Sequence, residues 1–115
     1  MLVLLERVSR VVLFAPHLAA SQHGRVIVVS KPETVKPAAK TAVYTAAKSA
    51  QESLVLTLAE EYKENGLTAN VIHVKSIDIK NEGRGTSPAE IVSAMTYLFS
   101  DEAGKVNGTR IPLYG

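Results

Sequence analysis

The sequence predicts an α/β fold in three layers, a parallel sheet with helices packed on both faces. Three observations carry that expectation. Two β-branched runs, at 25–30 and 68–74, are separated by a long helix-favouring stretch. Strand and helix patterns alternate along the chain in the order helix–strand–helix–strand–helix–strand. The connections are short, which favours right-handed crossovers and parallel pairing. Residues 1–115 are expected to form a single domain with one modest core.

The elements follow in order. Leu2, Leu5, Val8, Val12, Ala15 and Ala19 recur at helical spacing, so residues 1–20 read as a helix, with Pro16 as a kink or an end. Further apolar residues widen that stripe nearly all round, so the helix needs cover on most sides. Residues 25–30, Arg-Val-Ile-Val-Val-Ser between Gly24 and Pro32, read as a buried strand of a parallel sheet. A loop over 31–40 sits at the C-terminal end of that strand, where open α/β sheets bind ligands. Residues 41–65 form the second helix, rich in Ala and Leu and stopped by Asn65-Gly66. A strand at 68–74 and a polar loop at 75–87 follow. Ser87-Pro88-Ala89-Glu90 opens a third helix that runs to Leu98 or Phe99, with a Ser cap, Pro first and Glu third. Residues 109–113 read as a final strand, placed at a sheet edge by Pro112.

Composition narrows the function. The chain is 46% hydrophobic and 21% charged, with a formal charge of +2 spread along its length. No basic run with interleaved aromatics occurs, so nucleic acid is not an expected partner. Cysteine is absent, which excludes disulfides and thiolate metal sites and fits a cytoplasmic setting. His17, His23 and His73 lack metal-ligand spacing, and no metal is expected. Residues 1–20 are interrupted by Glu6, Arg7 and Arg10, so neither a signal peptide nor a membrane span is expected.

The stretch with chemical potential is Tyr44-Thr45-Ala46-Ala47-Lys48. Residues four apart share a helix face, and an ammonium beside a phenol favours the phenolate, which makes a proton-transfer pair. Such pairs also arise by chance on many helices. The neighbours raise its weight. Residues 24–30, the segment 44–50, Leu58-Ala59-Glu60-Glu61, 66–72, Ser87-Pro88-Ala89-Glu90-Ile91, 98–103 and Val106-Asn107-Gly108-Thr109 with Gly115 resemble, in order and spacing, the C-terminal half of the short-chain dehydrogenase/reductases. Residues 1–23 look like the long family helix before the first of these strands.

The resemblance implies a partial Rossmann-like fold and descent from NAD(P)-dependent oxidoreductases. It assigns Tyr44 to the general acid/base position and Lys48 to the residue that favours the phenolate and holds the nicotinamide ribose. Ile77 matches the position whose backbone meets the nicotinamide carboxamide. The departures bear on function. No Gly-x-x-x-Gly-x-Gly turn occurs in the 115 residues, so the N-terminal dinucleotide-binding half is expected to be lacking and the isolated chain is expected to hold no cofactor. The substrate-orienting serine, about thirteen residues before the tyrosine, lands on Lys31. Ser30, next to it, could serve only after a one-residue shift of the loop. The family's Pro-Gly becomes Val74-Lys75 and its following threonine Ile79, while the relay asparagine falls near Leu4.

Three readings follow. The first is a truncated relative, unable to bind NAD(P) or transfer hydride alone, that persists as a homo-oligomer. Its contacts would be helices 1–20 and 41–65, in a four-helix bundle about a two-fold axis like that of family dimers, with the strand 25–30 as an exposed edge. The second is the catalytic-half subunit of an enzyme completed by another chain. The third is an interaction module that binds a full-length relative. Substrate choice and the choice of NAD over NADP lie outside what these residues encode.

Overall fold

The computed structural model describes residues 2–4 and 23–114. Four parallel strands form one sheet in chain order: β1 (Leu2–Leu4), β2 (Arg25–Ser30), β3 (Thr68–His73) and β4 (Arg110–Pro112). β2 and β3 pair along their full length, from Arg25 opposite Thr68 to Ser30 opposite His73. Both are buried on two faces, as continuous β-branched runs require. β4 is short and lies beyond β3 at the sheet edge, where Pro112 withholds no ladder donor.

Two expectations are corrected here. Leu2–Leu4 is a strand, not the start of a helix, and pairs with Arg25–Ile27 in parallel register. A short apolar run without a polar face suits a parallel strand as well as a helix, and helical spacing alone did not separate the two. Residues 5–20 of the expected helix lie outside the described residues. β2 is consequently not an edge strand: β1 flanks residues 25–27 on one side and β3 flanks the whole strand on the other.

The long helix α1 (Ala42–Glu61) covers one sheet face. Val55, Leu58 and Ala59 meet Val26, Val28, Ala69 and Val71 there. The shorter α2 (Pro88–Phe99) covers the other, where Ile91 and Leu98 pack on Ile27, Ile72 and Val74. The three expected layers are therefore present. A 3₁₀ turn at Lys63–Asn65 follows α1, and the chain is turned into β3 by Gly66 at φ 76°, a left-handed conformation that suits glycine. Asn107 ties the end of α1 to the sheet: it accepts from Ala69 N at 2.9 Å and donates to Ala59 O at 2.9 Å. α2 opens with the capping box expected of Ser87 and Glu90.

The connection between β3 and α2 folds back over the C-terminal end of the sheet. Asp78 accepts from the backbone N–H groups of Glu82 and Gly83, and Thr86 donates to Leu113 O. At Gly85, φ is 99° and a Cβ would come within 2.6 Å of Ser76 O, so only glycine fits this close approach.

Candidate active site

The C-terminal ends of β2 and β3, the first turns of α1 and the loop after β3 enclose an open cleft of about 690 Å³. Tyr44 and Lys48 stand on its α1 wall, one helical turn apart. Tyr44 is half-exposed at 46% and lines the cleft rather than the core. Lys48 Nζ donates to Val29 O at 3.4 Å and lies 5.9 Å from the centroid of the Tyr44 ring. Lys31 reaches the same ring from the end of β2, its Nζ also 5.9 Å from the centroid.

The opposite wall is apolar apart from Ser76. Val74 is buried at the base, Ile77 is half-exposed, and Ile79 stands out at the rim. α2 contributes Ile91 and Met95. Ile77 is held in place by a bridge to Thr86, in which Asp78 N donates to Thr86 O at 2.8 Å and Thr86 N to Ser76 O at 2.9 Å.

Ser30 touches the cleft wall, but its hydroxyl is committed elsewhere. It donates to Glu52 Oε2 at 2.6 Å. Glu52 stands one turn beyond Lys48 and points into the core at 1% exposure. His73, the last residue of β3, places Nε2 3.0 Å from the same oxygen. Arg110 on β4 donates Nε–H to Oε1 at 2.8 Å. Burial by itself would push the Glu52 carboxyl up. The hydrogen bonds from Ser30, Thr34, Arg110 and His73 outweigh that and hold it below the usual carboxylate range. The carboxylate is therefore ionised at neutral pH, with Arg110 as its counter-charge.

Glu52, His73 and Arg110 were not singled out from the sequence. A signal was present: Tyr44, Lys48 and Glu52 recur at intervals of four, and Glu52 interrupts the face that continues through Val55 and Leu58. A carboxylate on a core stripe needs a partner. Nothing in the sequence says that the partners come from strands 21 and 58 residues away. Among the described residues, no three or more His, Asp or Glu side chains converge as a metal site. No helix among them is long and apolar enough to cross a membrane.

The chain is similar to known proteins in sequence and in fold. The short chain dehydrogenase family profile matches residues 7–86. Acetoacetyl-CoA reductase from Allochromatium vinosum is 28% identical over an alignment covering 80% of this chain and 44% of the reductase. Nodulation protein G from Azospirillum brasilense is 30% identical, covering 88% of this chain and 48% of that protein. Among solved structures, acetoin dehydrogenase YohF from Salmonella typhimurium superposes with a TM-score of 0.81 at 25% identity, over 91% of this chain and 48% of that one. The chain thus spans about half the length of the curated relatives it matches.

Proposed function

Since the chain belongs to the short chain dehydrogenase family, we propose that it carries the proton-transfer side of an oxidoreductase site and, by itself, neither holds a dinucleotide nor turns over. The observation that carries this reading is the placement of Tyr44 and Lys48 together on one wall of an open cleft. In that position Tyr44 Oη would give a proton to a substrate carbonyl oxygen, or take one from an alcohol. Lys48 would hold charge beside it. The relatives' names, acetoacetyl-CoA reductase and acetoin dehydrogenase, fit carbonyl and alcohol chemistry for those proteins.

A whole dinucleotide does not fit the residues at hand. A pyrophosphate needs backbone N–H groups converging from a Gly-rich turn at a helix N-terminus. The glycines at positive φ among the described residues are Gly66, Gly83, Gly85 and Gly108, which lie at separate turns and form no such cradle. Lys48 and Ile77 alone could meet only the nicotinamide end. Titrating NADH or NADPH into the purified chain should accordingly leave the nicotinamide fluorescence unsaturated well beyond micromolar concentrations. Saturable micromolar binding would refute the reading.

The second part of the reading is that the chain acts as an assembly. The outward face of the first turns of α1 presents Ala42, Val43, Ala46, Ala47 and Ala50, all exposed and none charged, with Val43 at 87%. Small apolar residues along one helix face allow a second helix to approach closely, and a self-complementary pair closes about a two-fold axis. Light scattering on the size-exclusion peak is expected to give at least twice the 12.3 kDa chain mass at micromolar concentration, and Val43→Glu to halve it. A monomer for the unsubstituted chain would remove this part. A partner chain that supplies the nucleotide-binding half remains the route by which Tyr44 would do chemistry, and the openness of the cleft favours it.

A further inference from the structure

We propose that the cleft selects an anionic ligand with a short apolar body, a carboxylate held between Lys31 and Lys48. This rests on the reading above that the cleft is the substrate side of the site, but it requires no nucleotide.

Two ammonium groups approach one phenol ring from different elements, each 5.9 Å from its centroid. Among the described residues, no carboxylate lines the cleft and neither lysine has an acidic group within ion-pair distance. The carboxylate one turn on from Lys48 is not available to it, because Glu52 turns inward and is already balanced by Arg110 at 2.8 Å. Lys48 uses one donor on Val29 O, which leaves two of its three for a ligand. Two ammonium groups beside one phenol ring give the cleft a positive end, and an anion that reaches them gains charge-assisted hydrogen bonds. The volume of about 690 Å³ fits a small molecule, and Val74, Ile77, Ile91 and Met95 would sheath its apolar part. Lys31 is the decisive residue. A hydroxyl at that position would accept or donate to a neutral carbonyl, whereas an ammonium offers only donors and a full positive charge.

Isothermal titration calorimetry of the full chain with octanoate and with 1-octanol, without nucleotide, tests this. Octanoate is expected to bind saturably with a Kd at least tenfold below that of octanol. Lys31→Gln should raise the octanoate Kd about tenfold and leave the octanol Kd unchanged, while Lys31→Arg retains most of the octanoate affinity. Hexyl phosphate in a third arm separates a carboxylate site from a general anion site, and tighter binding of the phosphate would overturn the carboxylate assignment. Equal affinity for octanoate and octanol, or an octanoate Kd untouched by Lys31→Gln, would overturn the proposal altogether. Saturable NADH binding would instead count against the cofactor reading alone, so the two failures are told apart.

Discussion

Glu52→Gln is expected to destabilise the fold by about 3 kcal/mol, since breaking a buried ion pair from one side leaves its partners unsatisfied. That corresponds to a drop in Tm of roughly 10 °C or more for a domain of this size. The amide cannot accept from Ser30, His73 and Arg110 at once, because one of its two ends is a donor. Ser30 and His73 share one carboxylate oxygen, so an amide oxygen turned to them sets its NH2 against the Arg110 guanidinium and removes the counter-charge of that cation. Urea unfolding followed by circular dichroism checks the number, and an unchanged midpoint would show that the network is not holding the three strands to α1. Glu60→Gln is the control. It removes the exposed Glu60–Lys63 pair, at 2.8 Å, and should leave the midpoint where it is. The same network sets an acid limit. The Glu52 carboxyl is lowered in the folded state relative to its ordinary value of 4.5, so its contribution to stability is fully present above that value. The contribution is lost as pH falls from there through the folded value, because the unfolded state binds the proton first. Glu52→Gln should abolish that part of the acid dependence.

The sequence made the layers legible because each relies on a local pattern. Arg25–Ser30 and Thr68–His73 are continuous β-branched runs, α1 is an Ala- and Leu-rich run ended by Asn65-Gly66, and α2 carries its capping box in four consecutive residues. Leu2–Leu4 failed for a physical reason: three apolar residues fit a strand and a helix equally, and only pairing with Arg25–Ile27 decides between them. The Tyr44–Lys48 pair could be read because both residues share one helix face. The Glu52 network could not, because it joins α1 to the ends of three strands at long separation. Its presence also explains the state of Ser30. The residue next to the expected serine position is drawn toward α1 by a 2.6 Å bond, while Lys31 takes the place beside Tyr44.

The largest functional effect is expected at Tyr44. In an assembly where another chain supplies the nucleotide-binding half, Tyr44→Phe should lower kcat about a thousandfold, the usual range for removing a positioned proton donor. Substrate and cofactor affinity should change little, because the ring and its contact with the two lysines remain. Stability should also hold, since Tyr44 is half-exposed and lines the cleft rather than the core. Lys48→Met should differ by weakening binding and turnover together, because its ammonium both faces the ring and anchors on Val29 O. Ser30→Ala gives the contrasting result. If its hydroxyl serves Glu52 rather than substrate, the variant loses stability, by about 1 kcal/mol or more for a buried charge-assisted bond, and keeps its kcat. Single-turnover measurements on the reconstituted assembly separate these outcomes. Full turnover in Tyr44→Phe would mean that the proton moves through another group, and a thousandfold loss in Ser30→Ala would mean that the loop shifts on binding to release the hydroxyl from Glu52.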